Sequence, residues 1–152
     1  VFNVFNVAQT NLKEARPELY AKLAEQMQVE RSGNVGEGKD FTFPALDAMV
    51  KDDGWICPIK PTHGDDAYYS ISRQEIVIPE KGQFDDGQSY YNTMAHEMMH
   101  STGAENHLGR IKSGAGFGSP EYAREELVAE FGAALVMSRY GVERTIKNDS
   151  LP

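Results

Sequence analysis

The sequence predicts an α+β fold: a small, mostly antiparallel sheet packed on a histidine-bearing helix, with a second, buried helix that carries glutamates. Three observations predict it. Segments 88–102 and 120–140 carry the strongest helical patterning, two β-rich runs at 67–71 and 75–78 precede them, and 152 residues that are 40% hydrophobic suit a single core. One domain is therefore expected over 1–152.

The elements follow in chain order. Val1 to Val7 alternates large apolar residues with Asn and reads as a short strand, and Pro17 opens a helix through Met27. Residues 32–40 carry three glycines among polar side chains and read as a loop. Pro44 suits a helix start, with Leu46, Met49 and Val50 at helical spacing and a stop at Asp52, Asp53 and Gly54. Trp55 to Ile59 reads as extended. Ala67 to Ile71 and Glu75 to Ile78, separated by Ser72, Arg73 and Gln74, form a hairpin closed by Pro79. The last helix starts at Ser119-Pro120 and stops at Gly141, after a glycine-rich loop. Its Leu127, Val128, Phe131, Ala134 and Leu135 form a broad apolar face, which is expected to be buried.

Composition excludes several classes of function. The net charge of -8 repels a polyanion, so this segment is not expected to bind nucleic acid directly. No run of eighteen apolar residues and no secretory signal is present, so no membrane association is expected. The single cysteine, Cys57, can form neither an internal disulfide nor a multi-cysteine zinc site, and it fits the cytoplasm. Val1 in place of Met and the abrupt end at Leu151-Pro152 suggest a piece of a longer protein.

Chemistry concentrates at Ala95-His-Glu-Met-Met-His100, an HExxH pattern that this composition would produce by chance in roughly one chain per hundred. On a helix, His96 and His100 share a face and can reach one metal, while Glu97 reaches a water beside it. Turning the helix by about 100° per residue gathers Tyr91, Met94, Ala95, Met98, Met99 and Thr102 on a core face. The histidines fall opposite, near only Ser89 and Thr93. Small neighbours there leave room for a cleft, where a plain solvated face would show Lys and Glu.

A catalytic zinc site needs a third protein ligand and an open position for water. A metzincin would place a third histidine where Asn106 stands, and His107 comes one residue late, so it reads as a loop histidine. Glu126 and Glu130, four residues apart on a stripe bounded by Ala123, Ala133 and Met137, are the stronger candidates. Carboxylates on an apolar stripe are costly unless paired or metal-bound, so either a zinc site or salt bridges to Arg or Lys explain them. Twenty-five residues separate HExxH from Glu126, an arrangement similar to that of gluzincin-like zinc peptidases. That likeness makes Glu126 the ligand and Glu130 the group that orients a ligand histidine, although the reverse assignment fits the spacing as well. Glu125 points towards Gly132 and Arg139 and is expected to be solvated.

The runs Ser89-Tyr-Tyr-Asn-Thr-Met-Ala-His-Glu-Met-Met-His-Ser-Thr-Gly103 and Ser119-Pro-Glu-Tyr-Ala-Arg-Glu-Glu-Leu-Val-Ala-Glu-Phe-Gly-Ala-Ala134 resemble the zincin-like metallopeptidase domain of ArdC-type antirestriction proteins, also found in phage polyvalent proteins. The resemblance extends to Val4-Phe-Asn-Val-Ala-Gln9, Asp66-Ala-Tyr-Tyr69 and Ile76-Val-Ile-Pro79, and so covers most of the chain. It implies a domain that normally follows a single-stranded-DNA-binding domain, absent here, in proteins that protect mobile DNA from restriction. Ala104 departs from the family's Thr-Gly-His.

Two readings follow. In the first, a zinc metallopeptidase domain holds one zinc per chain on His96, His100 and Glu126, and Glu97 is the general base towards a protein or peptide substrate. The substrate would add as a strand to the hairpin at 67–78. In the second, the domain is a non-catalytic, zinc-containing antirestriction module that acts by binding a protein partner. Only the first needs Glu97.

Overall fold

The computed structural model describes residues 10–31, 36–111, 118–140 and 142. The expected strand at Val1 to Val7 and most of the glycine-rich loop lie outside them.

Proline and short polar side chains open the helices, because both suit a first turn whose N–H groups have no partner within the helix. A short α1 (Leu12–Ala15) leads into α2 (Pro17–Arg31), which runs past the expected Met27. Pro44 opens α3 (Pro44–Lys51), which stops at the expected Asp52. In α4 (Gly87–Thr102), Asp86 accepts from the Ser89 backbone N–H at 2.7 Å and from its hydroxyl at 2.9 Å. In α5 (Pro120–Arg139), the Ser119 hydroxyl accepts from Tyr122 N–H at 3.1 Å.

The sheet has three strands in the order β1 (Ile59–Thr62), β3 (Glu75–Pro79), β2 (Tyr68–Ser70). The hairpin β2–β3 is antiparallel as expected, pairing Tyr69 with Ile76 and Ser70 with Glu75. The sheet is mixed rather than mostly antiparallel, because β1 joins β3 in parallel, Ile59 beside Ile76. Extended structure begins at Ile59, not Trp55, since residues 55–57 bend. That bend lets Trp55 Nε1 donate to Ser101 Oγ on α4 at 2.9 Å. β3 is central and buried, whereas β2 lies at the edge.

Ile76 and Ile78 pack with Met94, Met98 and Tyr91 of α4 and with Phe43 and Leu46, forming the core. The Tyr91 hydroxyl donates to Asp47 on α3 at 2.7 Å and accepts from Lys81, so this buried phenol is fully partnered. α4 thus buries Tyr91, Met94 and Met98 of the apolar face in the core with the sheet, while Met99 of that face meets α5 and the histidines turn the other way.

α5 crosses α4 on that histidine side and corrects an expectation. Its buried residues are Ala129, Ala133 and Met137. Leu127, Val128, Phe131 and Leu135 are exposed, Phe131 to 67%. The reason is the room taken by Met99 of α4. A Cβ built on Gly132 would come within 2.5 Å of Met99 Sδ, so this position takes glycine, with Ala129 and Ala133 as its small buried neighbours. The small-residue face therefore meets α4 and brings the carboxylates with it, and the bulky face turns outward.

Candidate metal centre

The i, i+4 spacing on α4 sets the two imidazoles side by side, ring centroids 4.7 Å apart. Their Nε2 atoms converge to 3.0 Å. Glu126, from the opposing α5, sets one carboxylate oxygen 3.4 Å from His96 Nε2 and the other 3.6 Å from His100 Nε2. A four-coordinate zinc with bonds of about 2.0–2.1 Å holds its donor atoms roughly 3.3 Å apart. The observed separations bracket that figure. Among the described residues, His96, His100 and Glu126 form the one cluster suited to a metal. The donor set fits a divalent cation.

The Nδ1 atoms face away from this point, and each meets a carboxylate. Glu130 Oε1 stands 3.3 Å from His96 Nδ1, and Glu125 Oε1 stands 3.5 Å from His100 Nδ1. Glu130 thus stands beside the His96 nitrogen that faces away from the cluster. Glu125 contradicts its expected solvation: its side chain is 12% exposed, because Arg110 reaches over from the loop after α4 to pair with it. Arg110 and Glu125 were missed because nothing local marks them. The one available signal is stoichiometric, since two ligating imidazoles call for two acceptors and Glu130 supplies only one. His107 is exposed and stands apart from the cluster.

Glu97 is 7% exposed on the floor of a cavity of about 440 Å³. Burial pushes its carboxyl up to about 7, the Tyr69 backbone N–H on β2 pulls it back, and the Glu126 charge adds to the rise. Burial also lowers the His100 imidazole, helped by His96, which favours the neutral form that can donate a lone pair. Tyr122, in the first turn of α5, hydrogen-bonds to Glu126, which raises the phenol and keeps it a donor. Ala67, Tyr68 and Tyr69 of the hairpin form one wall of the cavity and Ile111 with Tyr122 another. An edge strand thus borders the histidines and Glu97.

Two histidines and a glutamate converge between paired helices, with a buried glutamate beside them, an arrangement that suits a zincin-like domain. A family model for zincin-like metallopeptidases matches residues 44–151, and the chain belongs to that family. Over 139 residues it is 42% identical to DNA primase TraC of Escherichia coli, covering 90% of this chain and 9% of the primase. Uncharacterized protein y4eC of Sinorhizobium fredii is 40% identical over 73 residues, 48% of this chain and 24% of that protein. Antirestriction protein ArdC from the R388 plasmid has a similar fold. Its Mn(II)-bound structure matches with a TM-score of 0.61 and 28% identity, over 74% of this chain and 41% of ArdC. Its metal-free structure matches with a TM-score of 0.56 and 31% identity, over 72% and 38%. The chain therefore spans less than half the length of each of these relatives.

Proposed function

We propose that this chain is the zinc-dependent metallopeptidase domain of an ArdC-like antirestriction protein and hydrolyses peptide bonds in a protein substrate. The observation that carries the reading is the convergence of His96 Nε2, His100 Nε2 and the Glu126 carboxylate beside a buried Glu97. His96, His100 and Glu126 would hold one cation per chain, zinc by the choice of two imidazoles and a carboxylate. When bound, the cation supplies Lewis acidity that acidifies a neighbouring water and polarises the peptide carbonyl.

The chain's own residues do the rest. Glu97 takes a proton from the attacking water and returns it to the leaving amine, a double task suited to a carboxyl raised to about 7. Glu130 holds His96 by Nδ1 and so keeps Nε2 free as a donor. β2, the edge strand among the described residues, pairs with the substrate as an added strand, which lays a peptide bond beside Glu97. The single Cys57 and the acidic balance agree with action in the cytoplasm, and no helix among the described residues is long and apolar enough to cross a membrane.

The exposed Leu127, Phe131 and Leu135 favour a second reading, a module that works by binding a protein partner. Glu97→Gln separates the two. Under the peptidase reading the variant keeps its metal and loses cleavage of the protein substrate together with antirestriction; under the binding reading antirestriction is unchanged.

A further inference from the structure

We propose that Arg110 and Glu125 are positioning residues for the metal centre: Arg110 fixes Glu125, and Glu125 orients His100 through Nδ1. This rests on the metal-binding reading of His96, His100 and Glu126, and extends it to a loop residue outside the motif helix.

Arg110 uses its planar fork fully. Nε and one terminal nitrogen donate to the two oxygens of Glu125 at 3.1 and 2.9 Å, a bidentate pair. That terminal nitrogen also donates to the Met99 carbonyl at 2.9 Å, and the other donates to the Thr102 hydroxyl at 3.0 Å. The guanidinium therefore sits on the C-terminal turn of α4, where the last carbonyls lack partners within the helix and favour a cation. One side chain ties the end of the histidine helix to the glutamate helix. Its partner Glu125 is left with Oε1 3.5 Å from His100 Nδ1, matching Glu130 at His96.

The chain is shaped to allow this. Gly109, at φ +60°, reverses the loop, and Ile111 N–H donates back to the Gly103 carbonyl at 2.9 Å. Gly103 has an ordinary φ of -80°, so its role is space. A Cβ there would stand 2.9 Å from Glu125 Oε1 and 3.1 Å from an Arg110 terminal nitrogen, driving the pair apart. Gly103 thus leaves the room that admits the arginine.

The test is a titration of the folded chain with Zn(II) against a chromophoric chelator, combined with proton–nitrogen NMR of the histidine rings. Glu125→Ala should weaken Zn(II) binding by about 10- to 100-fold while one equivalent still binds. It should also lose the protected Nδ1–H resonance of His100 and keep that of His96. Glu125→Gln preserves shape and acceptor, so it should keep both resonances with a smaller loss. Arg110→Ala should weaken binding in the same direction, and its effect should not add to that of Glu125→Ala. If Glu125→Ala does not fold, Glu125→Gln and Arg110→Ala carry the same test. Unchanged affinity in these variants, or equal loss of both histidine resonances, would overturn the inference and leave the metal site standing. Wild-type protein that takes up no metal would overturn both.

Discussion

At the residue scale, the account turns on which nitrogen and which oxygen face the same point. Glu97→Gln keeps the donor set and removes the proton acceptor, so peptide cleavage should fall by about 10²- to 10⁴-fold with metal content unchanged; parallel metal analysis and cleavage assays check it. Glu130→Ala should weaken metal affinity by about 10- to 100-fold rather than abolish binding. If it abolishes binding and Glu126→Ala does not, the two roles are exchanged. Away from the centre, Glu75 is buried at the hairpin between Lys60 at 2.5 Å and Arg73 at 2.7 Å. The Lys60 hydrogen bond and both positive charges hold its carboxyl below the ordinary 4.5. A depressed carboxyl adds stability above its unfolded pKa and loses it as pH falls through the folded value. Glu75→Gln should therefore lower Tm near neutral pH, and the gap to wild type should narrow as pH falls below about 4.3, the unfolded value, and close below the depressed folded value. A gap that does not narrow as pH falls would contradict this assignment.

At the level of elements, the close approach of α4 and α5 forms the site. Gly132→Ala puts a methyl against Met99 and should cost about 1–3 kcal/mol, lowering metal affinity as well, because α5 carries the carboxylates. Phe131→Ala removes a far larger group, yet with the residue 67% exposed it should change stability by no more than about 0.5 kcal/mol. Denaturant unfolding of both variants checks the contrast. It also marks what the sequence could reveal. The periodicity of α4 identified Tyr91, Met94, Ala95 and Met98 as buried, because a helix pressed on a sheet buries its largest apolar side chains, whereas Met99 and Thr102 of the same face are partly exposed beside α5 and Arg110. The same reasoning failed on α5, where contact with another helix at short range selects the smallest side chains instead. The β-rich runs at 67–71 and 75–78, with Ser72, Arg73 and Gln74 between them, disclosed the hairpin, but nothing in them encoded the parallel partner β1, which is set by a contact remote in sequence. HExxH and the later glutamates were readable because their spacing is local to one helix. Glu125 and Arg110 escaped because their pairing spans a loop.

At the scale of the whole molecule, the chain corresponds to 9% of TraC and about 40% of ArdC, two proteins of different names around one domain. Binding energy from contacts remote from the scissile bond is what positions a peptide for attack, and in a longer protein the remaining chain could supply it. This chain alone should bind metal without appreciable cleavage of a generic protein such as casein, and should cut only a specific partner. Rapid, chelator-sensitive degradation of casein that vanishes in Glu97→Gln would contradict that expectation. The central claim is that His96, His100 and Glu126 hold one metal ion per chain, and elemental analysis of purified, zinc-exposed protein tests it most directly. The account predicts one equivalent in wild type and none in the His96→Ala, His100→Ala double variant, with the fold retained; stoichiometric metal in the double variant would contradict it.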